Sequence, residues 1–324
     1  MVVASPKPRK KVMILCAGDA KSMRLGLSDF KLSSKFWRQV ERIISELPES
    51  VKLTWIGREV ESFNGCSIMS PEYWLVLREC IVKAVDVEGC SGILVLHDLA
   101  TLTYSSAAMS FLLYGLPAAV VFTGLMKNIE LAERDVWENL TGGLMLFEKG
   151  VADGVHLYFH GDILKPLRSI MIKTSGRHPF VESDAAYQYD VPFLPKGISY
   201  NSLMKAVSIG VLPLFPGLDS SFLDSMLGSG VHALVLEHDG AELAVGEGFA
   251  GGLVESLRNA HVRGIVVVAI SKCSGRDIHK LSAEIRAAGV ISGGYITREA
   301  MLGKLYALLG VELKQNQIRE FIEG

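Results

Sequence analysis

Short, nearly continuous apolar runs alternate along this chain with longer segments whose apolar residues recur every three or four positions. Residues 11–17, 52–57, 92–96, 118–123 and 155–159 are runs of the first kind, rich in Val, Ile and Leu. Strands of that composition are buried on both faces, as a parallel sheet joined by crossover helices requires. The intervals between them predict those helices. Ser70-Pro71-Glu72 sets a capping residue and a first-turn proline ahead of Trp74, Leu77, Ile81 and Val85 at helical spacing, so a helix starts there. The pattern predicts an α/β fold: a doubly wound parallel-sheet N-terminal domain over residues 1–185.

From residue 179 to about 205 the periodicity fades into Asp, Tyr, Pro and Gly, which predicts a linker over residues 186–206. Beyond it the alternation resumes, with strands at 207–214, 233–237 and 264–270 and helices at 220–227, 251–260 and 278–288. A last helix over 297–309 carries Met301, Leu302, Leu305 and Leu308 on one face, with Thr297 as its cap and Gly310 as its stop. This is a smaller α/β C-terminal domain over residues 207–324. A length of 324 residues agrees with two domains.

The stretch over residues 105–126 is almost free of charge. Gly115 and Pro117 break it into a helical half and a β-branched half, so two buried elements explain it better than one membrane-spanning helix.

Basic and acidic side chains number 33 and 35, for a formal net charge of −2. No global field is left to hold a polyphosphate, which argues against a nucleic-acid partner. The five cysteines, Cys16, Cys66, Cys80, Cys90 and Cys273, form an odd set without a CxxC pair or zinc-ligand spacing. Free thiols in a reducing, cytoplasmic setting are the expectation, with no metal site and no cofactor. Lys7, Arg9, Lys10 and Lys11 precede the first strand without an apolar run, so no secretory signal is expected. Gly251-Gly252 lacks the context of a dinucleotide fingerprint.

Ligands of open α/β sheets bind beyond the carboxyl ends of the strands, which makes the turns there informative. Ile93-Leu94-Val95-Leu96-His97-Asp98-Leu99-Ala100-Thr101-Leu102-Thr103 resembles the L-asparaginase signature in which a strand runs into His-Gly-Thr-Asp-Thr-Met and a helix. Further similarities follow at Met69-Ser70-Pro71-Glu72-Tyr73-Trp74, Val121-Phe122-Thr123-Gly124, Tyr158-Phe159-His160-Gly161, Leu214-Phe215-Pro216-Gly217 and Ala288-Gly289-Val290-Ile291-Ser292-Gly293. They span about residues 11 to 309 in order, and the chain resembles the cytoplasmic (type I) L-asparaginase family.

That resemblance implies an asparaginase-like fold and a hydroxyl nucleophile, because an amide yields only to an activated group held in a preorganised site. In the family, two threonines, an aspartate and a lysine supply it. Carried over by position, the first threonine falls on Asp19, or on Ala20 if the register slips by one; the second falls on Leu99, the aspartate on Ala100 and the lysine on Met171. Lys173 lies two residues on, about 7 Å along a strand, too far to substitute. The turn that holds the substrate carboxylate aligns with Gly65-Cys66-Ser67. The former pocket would then be lined by Cys66, Ser67, His97, Asp98 and Thr101.

Loss of one member of such a unit costs roughly 10³- to 10⁶-fold in rate, and further losses add little. The expectation is a catalytically degenerate member acting as a structural or interaction subunit, as a homodimer or in a hetero-oligomer with other subunits. Two alternatives stay open: an amidohydrolase with a rebuilt site, and an amino-acid-binding sensor. His97 beside Asp98 has the residue types of a base and its orienter, but neighbours on an extended chain point apart, and a structural role is the reading taken. Arg168, Lys173 and Arg177 mark either an anion site or a solvated loop.

Overall fold

The computed structural model describes residues 11–17, 34–48, 53–60, 70–125, 129–173, 178–184, 190–240, 242–243, 250–272 and 280–323. In the first half the elements are β1 (Lys11–Ala17), α1 (Ser34–Glu46), β2 (Thr54–Glu59), α2 (Pro71–Asp86), β3 (Gly92–Asp98), α3 (Leu102–Leu112), β4 (Ala119–Leu125), α4 (Ile129–Glu148), β5 (Gly154–Phe159), β6 (Asp162–Leu164), β7 (Ser169–Met171) and β8 (Phe180–Glu182). The second half carries β9 (Ile209–Pro213), α5 (Ser220–Gly228), β10 (Ala233–His238), β11 (Glu242–Leu243), α6 (Ala250–Val262), β12 (Val266–Ser271), β13 (Lys280–Leu281), α7 (Ala283–Ala287), β14 (Ile291–Gly294), α8 (Arg298–Gly310) and α9 (Gln315–Glu323).

The larger sheet has the order β2-β1-β3-β4-β5-β6, parallel through β5 and closed by an antiparallel β6. Its alternation sends Val12, Ile14, Cys16, Leu94 and Leu96 to a core that includes Phe36, Val40 and Leu140. Met13, Leu15, Ile93 and Val95 face the opposite core, with Leu77 and Met109. Both faces are covered, which explains why these strands read as continuous apolar runs. The smaller sheet, β14-β12-β10-β9, is parallel throughout.

The two sheets share one core. The cluster holding Met13 and Val95 continues through α3 into Met301, Leu305, Val235 and Val268. Here α3 meets α8, and a Cβ added to Gly303 would lie 2.7 Å from Ala108 Cα, so only glycine permits this approach. The uncharged stretch is accounted for: the buried α3 is followed by β4, two elements as expected. No helix among the described residues is long and apolar enough to cross a membrane.

Several local expectations need correction. The helix foreseen over 278–288 is only α7: Leu281 pairs with Leu243, and the Ser282 hydroxyl then accepts Ile285 N–H at 3.4 Å to start the helix. Gly310 is the last helical residue, not the stop. Glu312 takes the positive φ of 62°, while Gly310 accepts Lys205 N–H at 2.9 Å and a Cβ there would sit 3.2 Å from Lys205 O. Ser70 has the extended backbone of an N-cap, but its buried hydroxyl makes no capping bond.

Candidate functional site

In the larger sheet the strand order reverses at β1 and β3, which lie side by side while their crossovers run to opposite neighbours. A crevice at the carboxyl ends of such a pair is where ligands bind in open α/β sheets. That rim is Ala17 and the segment from His97 to Thr101, since Ala17 pairs with His97. Asp19, Ala20, Cys66, Ser67 and Arg177 lie outside the described residues.

His97 is fully buried. Its Nδ1–H donates to the Asp98 carbonyl oxygen at 3.0 Å, and Nε2 has no hydrogen-bond partner among the described residues. Burial pulls the imidazole below its ordinary pKa, which keeps it neutral. Asp98 does not orient His97 through its carboxylate, for Oδ1 accepts Ala100 N–H at 3.1 Å and caps the 3₁₀ turn Leu99–Thr101.

Leu99 is 7% exposed. It is turned into the core, because a Cβ on Gly124 would lie 2.7 Å from Leu99 Cδ1, 3.1 Å from Leu102 Cδ2 and 3.2 Å from Phe159 Cε2. Ala100 is exposed and has no functional group. Thr101 is buried with an unpartnered hydroxyl. Met171 sits half-buried on β7, paired with Phe180 across the β7–β8 hairpin and packed against the shared core. Lys173 is exposed just past the strand. Arg168 does not form an open anion site: its guanidinium is held by Asp190 at 3.1 Å and Glu182 at 3.7 Å.

Cys16 is buried on the sheet face opposite His97. Burial, with Glu59 adding to it, pushes its thiol well above the ordinary range, so it is no thiolate nucleophile. Tyr73 O–H donates to Ala17 O at 2.7 Å and anchors the end of β1.

A second constellation lies at the end of β10. Glu237, 1% exposed, is gripped by Arg298: Nε donates to Oε1, Nη2 donates to Oε2 at 2.5 Å, and Nη1 lies 3.3 Å from the Tyr104 hydroxyl on α3. The carboxylate raises the Arg298 pKa. One residue earlier, Thr297 caps α8 and donates its hydroxyl to Leu167 O at 3.1 Å. The N-terminus of α8 is thereby stitched to α3 and to the turn before β7. The sequence pattern does not single out this trio, although a glutamate ending the apolar run from Ala233 calls for a cation. Among the described residues no cluster of three or more His, Cys, Asp or Glu is placed to hold a metal.

A doubly wound sheet with this switch point, joined through α3 and α8 to a small parallel sheet, is the fold of the L-asparaginases. The thermostable L-asparaginase from Thermococcus kodakarensis superposes on 97% of this chain and 97% of its own with a TM-score of 0.76 and 23% identity. The family model described as Asparaginase, N-terminal, matches residues 11–195, and the Glutaminase/Asparaginase C-terminal domain matches residues 208–322. The chain belongs to the asparaginase family. It is 28% identical over 276 residues to L-asparaginase 1 of Escherichia coli (strain K12), covering 78% of each chain. It is 25% identical over 295 residues to a glutamyl-tRNA(Gln) amidotransferase subunit of Metallosphaera sedula, covering 83% of this chain and 66% of that one.

Proposed function

We propose that this protein has lost L-asparagine amidohydrolase activity and acts as a structural or interaction subunit in the cytoplasm, as a homodimer or with other subunits. The observation that carries the reading is Leu99. The residue that the resemblance sets at the second catalytic threonine is an apolar side chain sealed against Gly124. Ala100 and Met171 add no acid and no amine, and the neutral, buried His97 is not placed to replace them. Among the described residues of this rim, an amide would meet neither nucleophile nor base. The Metallosphaera sedula relative, named as a subunit, is consistent with a role inside an assembly.

A second reading is favoured by a specific feature. His97 Nε2 and the Thr101 hydroxyl are buried without partners, and such groups are costly unless something meets them. An amino acid held there without turnover would do so.

Ammonia release from millimolar Asn and Gln by the purified protein, beside an active type I enzyme, tests the first reading. The expected trace is flat from a folded sample whose mass by sedimentation exceeds one chain. A rate above background that disappears on replacing Asp19, Cys66 or His97 would overturn it. Saturable binding of Asn without ammonia release would select the second reading.

A further inference from the structure

The opposite rim of the smaller sheet carries a feature that the asparaginase reading does not use. At the amino ends of β12 and β14, where α6 finishes and α9 begins, lies a cavity of about 400 Å³. That volume is in the range of small-molecule sites. Its apolar wall includes Val266 and Ile291, and its polar groups include His261, Lys314, Asn316 and Arg319.

Two of these groups are fixed. Arg319 Nη2 donates to Gly289 O at 2.9 Å, while Nη1 lies 3.2 Å from Glu323 Oε1. His261 is seated on Gly289, for a Cβ there would come 2.4 Å from His261 Cγ. Lys314 differs: its backbone N–H donates to Gln317 Oε1 at 3.1 Å, but its ammonium has no carboxylate partner among the described residues. Glu312, two residues earlier, is taken by Lys205 at 2.6 Å. Among the described residues no carboxylate is part of the cavity lining. A concave site with an apolar wall, the exposed and uncommitted ammonium of Lys314 and a guanidinium whose charge is already shared with Glu323 has the complement of an organic anion, with Lys314 supplying the free charge.

We propose that this cavity binds a metabolite-sized organic anion, its apolar body against Val266 and Ile291 and its carboxylate or phosphate toward Lys314. The site shares no lining residue with the turn after β3 and is independent of whether that turn is active.

Isothermal titration of the whole protein with 4-phenylbutyrate, citrate and inorganic phosphate tests it. Saturable binding of 4-phenylbutyrate, at least about tenfold tighter than inorganic phosphate, is expected. Lys314→Glu should weaken it by at least about tenfold. Asn316→Asp should do the same while leaving the thermal midpoint unchanged or higher, since an acidic residue in the first turn of α9 suits the helix. That variant separates lost binding from lost folding. Absence of saturable binding of every probe by the wild-type protein, phosphate binding as tight as the aryl acid, or unchanged affinity in both variants would each overturn the proposal.

Discussion

Two rims of this molecule gather polar groups and treat them in opposite ways. At the turn after β3, His97 Nε2 and the Thr101 hydroxyl are buried without partners. At the end of β10, the Glu237 carboxylate is met by both arms of Arg298, with Tyr104 beside them. The difference is one of charge. A neutral donor or acceptor left unpaired costs about 1–3 kcal/mol, which a domain tolerates, whereas an unpaired buried carboxylate costs several times more and must be matched or protonated. The rim that the resemblance makes catalytic can drift into poor pairing, while the rim that joins the domains cannot.

The largest effect should follow from breaking the matched rim. Arg298→Met strands Glu237 and is expected to cost about 2–4 kcal/mol, discounted because the arginine is partly exposed. Denaturant unfolding measures it, and adding Glu237→Gln should recover most of the loss. No recovery would mean that Arg298 acts through packing instead.

Lys304 is the intermediate case, a buried ammonium that among the described residues meets the Phe193 ring at 5.8 Å and no carboxylate. Burial holds its pKa down to about 8. Between pH 8 and the ordinary lysine value the unfolded chain binds a proton that the folded chain does not, so stability rises with pH across that window. Below pH 8 the cost of folding the charged form is fully present. Lys304→Met is expected to stabilise the protein by about 1–3 kcal/mol at pH 7 and to flatten the pH profile of the melting temperature above 8. An unchanged slope would assign it to another group.

The smallest effect belongs to the unmatched rim. Thr101→Val replaces an unpartnered hydroxyl by a methyl of similar shape and is expected to stabilise the protein by about 1 kcal/mol, the low end of the cost of an unpaired neutral group. A clear loss, measured in the same denaturant series, would show that the hydroxyl is satisfied in solution and would break the contrast.

Elements defined by side chains on one stretch of chain were legible in the sequence. The apolar runs of β1, β3 and β10 begin where the pattern places them, at Lys11, Gly92 and Ala233, because burial on both faces leaves no polar position to blur a boundary. The turn carrying Leu99, Ala100 and Thr101 also falls where the resemblance sets it, directly after β3. Strands of two or three residues, such as β6, β7 and β13, were not legible, since their pairing depends on a neighbour and not on a period. Nor was the trio at Glu237. Arg298 is 61 residues from its carboxylate and 194 from Tyr104, and no local signal spans such separations.

The fit of Gly303 on Ala108 bears on how the chain comes apart. One apolar cluster runs from Met13 through α3 and α8 to Val268, so the layers of the larger sheet cannot melt while the smaller one keeps its face covered. Cutting the chain between the two sheets would strip α8 of one of its two sides, and neither fragment should persist as a folded body. Thermal unfolding should register as a single cooperative event despite the two-part architecture. Whatever chemistry the turn after β3 keeps, the chain is held to the helix that follows it, and that seam is the part of the molecule with the least freedom to change.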